Sequence, residues 1–190
     1  MDFFACKVTG LASGAVFTSF REKSGNGGGQ TVAIYYSVKV KTEKLDSKIL
    51  IKAFEDLGFR SKNTEILPNG ICMDFFEELG FDVYLTDAGN YPYNSWETIF
   101  GDKEFVFERT LQFRFDKEYE DWEKRYSIML TIIFGLLSGI RDEAILINSG
   151  GTELCFWKEN GDIILNNQEG IWNHNCFKDI IRNKNISDSM

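Results

Sequence analysis

With 43% hydrophobic and 15% aromatic residues among 190, the chain has ample apolar area to offset the entropy of ordering, which excludes an intrinsically disordered protein. That length predicts one α+β domain over residues 1–190, able to bury roughly 70% of its unfolded surface without disulfide or metal staples. A net charge of -8 argues against nucleic acid or an anionic membrane as partner and favours a basic protein, although the same charge also serves solubility.

From the N-terminus, Phe3 to Val8 reads as a strand. Met1-Asp2-Phe3-Phe4 lacks the basic start and cleavage site of a signal peptide, so a cytoplasmic location is expected. Cys6, Cys72, Cys155 and Cys176 are scattered without CxxC spacing, which predicts reduced thiols and no metal framework. Ser24 to Gln30 is a glycine-rich connection. It is no phosphate loop, because no Gly-Lys-Ser/Thr follows it. Thr31 to Lys41 is β-branched and aromatic and ends in alternation, a strand with one wet face. Leu45, Ile49, Ala53 and Leu57 then recur at helical spacing, and Gly58 closes that helix. Gly70 to Phe76 and Phe81 to Thr86 are shorter strands.

Asp87 to Gly101 has turn chemistry and no clean period. Phe105 to Phe115 reads as one long strand, with Phe105, Phe107, Arg109, Leu111, Phe113 and Phe115 on one parity. Tyr119 to Ile140 is the strongest helix, charged at its start and apolar thereafter. Its apolar stretch, Ser127 to Ile140, is shorter than the roughly 20 residues a membrane span needs. Three strands follow: Ala144 to Asn148, Glu153 to Lys158 and Asp162 to Asn166. Asn160-Gly161 between the last two is a hairpin signal, because both positions tolerate positive φ. The tail from Phe177 is expected to form a short helix to about Ile181 and then fray. Together these elements predict an α+β fold: an antiparallel sheet, two main helices packed on it and a C-terminal three-stranded meander. The half before residue 105 is less regular than the strand–helix–meander of 105–176.

Catalytic constellations are scarce. The single histidine, His174, would have to serve any triad, and Cys176, two residues away, is poorly spaced to face it. Acid pairs such as Glu77-Glu78 and Asp142-Glu143 read as solvated turn and helix-start residues rather than metal ligands, so no catalytic residue, metal or cofactor is assigned. A metal-dependent hydrolase or nuclease, and a structural or regulatory subunit of a phage or mobile-element assembly, stand as alternatives. The informative stretch is residues 87–123, where ten acids face four bases, a net charge of -6. Its loop adds Tyr91, Tyr93, Trp96 and Phe100. Rings supply contact area at small entropic cost and acids steer a basic partner, which makes Asp87, Tyr91, Tyr93, Trp96, Glu97, Asp102 and Glu104 the candidate partner-binding residues. The same rings could equally fold back as a cap on the core.

The run Leu111-Gln112-Phe113-Arg114-Phe115-Asp116-Lys117, the helix with Met129, Leu136 and Leu137, then Asp142-Glu143-Ala144-Ile145-Leu146-Ile147-Asn148, Asn160-Gly161-Asp162-Ile163-Ile164-Leu165-Asn166 and Trp172 resembles the Sit-type immunity proteins of bacterial swarming-inhibition toxin systems. The likeness covers residues 105–172. Ser149-Gly150-Gly151-Thr152 departs from the family's Asn-Gly-Glu turn, and Cys155-Phe156-Trp157-Lys158 replaces its more basic strand. The resemblance implies a cytoplasmic monomer or homodimer that neutralises a cognate toxin by occlusion, with no catalytic residues to carry over.

Overall fold

The computed structural model describes residues 34–97, 104–116, 118, 120–148, 156–167, 171–182 and 186–189. The expected strand Phe3 to Val8, the glycine-rich Ser24 to Gln30, Asp102 and Ser149 to Thr152 lie outside the described residues.

The β-branched and aromatic run Thr31 to Lys41, expected as a strand with one wet face, forms β1 (Ile34–Val40). Helix α1 (Ser47–Asp56) begins where Asp46 caps it, accepting a hydrogen bond from the Ile49 amide at 2.9 Å. Strands β2 (Thr64–Leu67) and β3 (Gly70–Phe75) form a hairpin, a helical turn α2 (Phe76–Leu79) follows, and β4 (Phe81–Asp87) returns antiparallel to β3. Short strands β5 (Ser95–Glu97) and β6 (Glu104–Val106) pair with each other, and β7 (Arg109–Phe115) runs between β4 and β1. Helix α3 (Trp122–Ser138), capped by Asp121, leads to β8 (Ala144–Asn148), β9 (Phe156–Glu159) and β10 (Asp162–Asn166). A 3-10 turn at Ile171–Asn173, α4 (Asn175–Arg182) and β11 (Ile186–Ser189) complete the described chain.

The main sheet has nine strands in the order β11-β10-β9-β8-β1-β7-β4-β3-β2. Every pairing in it is antiparallel except β10 with β11. The meander β8-β9-β10 turns at Asn160 (φ 54) and Gly161 (φ 96), the two positive-φ positions a tight hairpin requires. Alternation sends Val38, Val40, Val83, Leu85, Leu111, Phe113, Phe115, Ala144 and Leu146 to one face, where they meet Leu50 and Phe54 of α1 and Ile133, Phe134 and Leu137 of α3 in one core. Phe54 stacks on Phe75 with ring centroids 4.2 Å apart, and Phe81 stacks on Phe115 at 5.4 Å.

Two expectations are corrected. Phe105 to Phe115 is not one strand: the chain breaks between β6 and β7, where the Glu108 amide donates to Val40 O at 2.8 Å and Phe107 N to Asn94 O at 2.9 Å. The break carries Phe105 and Phe107 to the opposite side of the main sheet, against Ile145 and Ile147 of β8. The tail does not simply fray after α4. Its backbone at Ile186–Ser189 adds a strand parallel to β10, satisfying an edge that would otherwise be left open.

The far end of α3 is closed by a buried cation. Lys158 is 2% exposed, and its Nζ donates to Ile140 O at 2.6 Å and Asp142 O at 3.1 Å. An ammonium there satisfies carbonyls released where the helix ends and sits at the negative end of its dipole.

Candidate functional site

The acid- and aromatic-rich segment leaves the sheet at Asp87 and folds back as the β5–β6 hairpin. Hydrogen bonds fix its path: Ala88 N donates to Glu108 O at 2.7 Å, Tyr93 N to Asn90 O at 2.9 Å and the Ser95 side-chain Oγ to Pro92 O at 2.9 Å. The resulting turn holds Tyr91 and Tyr93 outward, 68% and 62% exposed, among the most exposed large side chains of the described residues. Trp96 is directed the other way. It packs half-buried with Ala88 against the small cluster of Phe105, Phe107, Ile145 and Ile147.

The structure therefore separates the candidate residues. Tyr91 and Tyr93 share an exposed turn, Asp87 pairs with Arg109 at 3.1 Å at its base, and Glu104 lies exposed on β6, where the register sets it opposite Glu97. Two of the rings are turned to solvent and the third serves as a cap, because a two-stranded hairpin needs one apolar side to hold it down. What the sequence reading missed is Lys39. Its Nζ lies 3.9 Å from the Phe107 ring centroid and 5.3 Å from that of Trp96, while Lys41 Nζ lies 4.9 Å from Phe105 and pairs with Glu143. Burial pushes the Lys39 ammonium down to about 8. One signal was available: Arg109 on the apolar parity of a supposed continuous strand marks the place where the chain breaks.

The Cys72 and Cys176 thiols are both held protonated. Partial burial pushes the Cys176 thiol up, and the adjacent charge of Glu123 adds to the effect, so the thiolate a nucleophile requires is disfavoured. His174 sets its ring edge-on to Trp122 at 5.5 Å and to Phe177 at 6.1 Å, a packing role at the α3–α4 contact. On the sheet face away from the helices, burial pushes the Cys72 thiol up to about 11 and raises the Tyr84 hydroxyl above its ordinary range. Both stay neutral near pH 7, beside Asp82 and Arg114. Among the described residues no three His, Cys, Asp or Glu side chains are placed to hold a metal ion, and no helix is long and apolar enough to cross a membrane.

These features define an α+β protein with a wide antiparallel sheet, helices on one face and a small aromatic hairpin clamped to the other. The chain belongs to the SitI3-like family, which it matches over residues 34–176. That match extends the likeness seen in the C-terminal half back to the start of β1. No curated protein and no solved structure matches the chain.

Proposed function

We propose that the chain is an immunity-type protein that binds a cognate toxin and neutralises it by occlusion, acting in the cytoplasm as a monomer or homodimer and without chemistry of its own. The observation that carries this reading is the exposed Tyr91–Tyr93 turn within a segment of ten acids and four bases. Two exposed rings on a short, hydrogen-bonded turn offer contact area at low entropic cost, and the surrounding acids favour a basic partner. Membership of the SitI3-like family supports the immunity theme. Asp87, Glu97, Asp102 and Glu104 would steer the encounter, while Trp96 would hold the contact turn in place from beneath.

The test is protection. Co-expression with the cognate toxin should restore growth of a susceptible host, and the two purified proteins should form a stoichiometric complex. Tyr91→Ala together with Tyr93→Ala should weaken that complex at least about 30-fold, the loss expected when a hot-spot contribution of about 2 kcal/mol is removed. Binding unchanged by the double substitution, in a protein that still protects, would place the contact surface elsewhere.

A further inference from the structure

Lys39 stands out because nothing among the described residues neutralises it. Its cross-strand neighbours are Thr110 on β7 and Ile145 on β8, and the hairpin covers it with Trp96 and Phe107; none of the four carries a charge. Two residues further on, just past the end of β1, Lys41 is itself a cation and is engaged by Glu143. Lys39 thus differs from Lys52, which is paired with Asp56, and from Lys62, paired with Glu77. A lysine in the middle of the sheet, half-buried among uncharged neighbours, loses hydration that its two ring contacts replace only in part.

We propose that Lys39 is a nucleophilic amine and the preferred site of covalent acylation on this chain, with acyl phosphates or thioesters as donors. The neutral Nζ attacks the acyl carbon, the bond from that carbon to phosphate or thiolate oxygen or sulfur breaks, and the leaving group departs with the bonding pair. The nitrogen then releases one proton to solvent, leaving a neutral amide. The low-charge setting makes this chemistry accessible near neutral pH, as it does for other desolvated lysines. An acyl group would also add bulk between Trp96 and Phe107 and so displace the hairpin. That consequence, unlike the acylation itself, rests on the proposed contact role of the Tyr91–Tyr93 turn.

With the ammonium at about 8 rather than 10.5, about a quarter of Lys39 is neutral at pH 7.5, against about one in a thousand for an ordinary lysine. Lower basicity reduces intrinsic nucleophilicity, by about tenfold if amines follow the slope known for thiols, which leaves a net advantage of about 10- to 20-fold. The experiment incubates the intact chain with acetyl phosphate and follows each lysine by peptide mass spectrometry, with exposed Lys48 as internal reference. Lys39 should acetylate about tenfold faster than Lys48 at pH 7.5, with a half-maximal rate near pH 8. Trp96→Leu, by opening the cradle, should bring Lys39 to within about twofold of Lys48. Equal or slower labelling of Lys39 in the unmutated chain, or a rate still rising past pH 10, overturns the proposal. An advantage that survives Trp96→Leu overturns the part assigned to the aromatic cradle.

Discussion

Replacing Lys158 by Met tests whether the end of α3 depends on a buried cation. Methionine nearly reproduces the aliphatic stem, so little apolar burial changes. What disappears is the pair of donations to Ile140 O at 2.6 Å and Asp142 O at 3.1 Å. Hydrogen bonds from a charged donor contribute about 1.5–3 kcal/mol each, and carbonyls left without a partner keep their desolvation cost. Against this, removing a 2%-exposed ammonium recovers several kcal/mol of the cost of burying it. The balance is a net destabilisation of about 2–3 kcal/mol, because both carbonyls are fixed by the chain turning from α3 into β8 and cannot turn to water. In urea, with a slope of about 2 kcal/mol/M, the unfolding midpoint should fall by about 1–1.5 M. In a thermal scan Tm should fall by about 4–12 °C. Lys48→Met, at an exposed ammonium, is the control and should leave both midpoints within error. A Lys158→Met protein as stable as its parent would refute the reasoning, showing that water reaches these carbonyls or that the charge costs as much as its bonds return.

Gly70→Ala should destabilise by about 2 kcal/mol or more, since a Cβ there would lie 1.9 Å from Leu85 O in the β3–β4 pairing; a urea midpoint equal to that of the unmutated chain would show that the strands can part at no cost. Lys39→Met should raise stability at pH 7, where the folded state must carry an ammonium it disfavours. The folded group loses its proton near 8 while the unfolded one holds it to 10.5, so the cost fades between those values and the variant's advantage should shrink by pH 10; an advantage constant across that range, measured by urea unfolding, would argue against the lowered value. Tyr91→Ala with Tyr93→Ala should leave the urea midpoint nearly unchanged, within about 0.5 kcal/mol, because both rings are exposed; a large loss would make them part of the core.

Where a residue pattern repeats along a regular element, the sequence was a sufficient guide. Leu45 to Leu57 announced α1 and Tyr119 to Ile140 announced α3, each within a few residues of its observed ends. Asn160-Gly161 located the β9–β10 turn, because few other residue pairs adopt two successive positive φ values. The exposure of Tyr91 and Tyr93 and the inward packing of Trp96 were not readable, since all three lie in an aperiodic segment whose faces only the hairpin defines. The acidic stretch itself was legible, because charge is a property of composition.

The sequence by itself determined the class of fold, the two long helices, the C-terminal meander and the acidic, aromatic character of residues 87–123. All of these follow from local periodicity, turn chemistry and charge. Only the tertiary structure decided that Phe105 and Phe107 cross to the other side of the sheet, that Lys158 closes α3 and that Lys39 lies between Phe107 and Trp96. Those outcomes depend on pairings between residues far apart in the chain. Alternation records that a strand has two faces, but not which neighbour will cover either one.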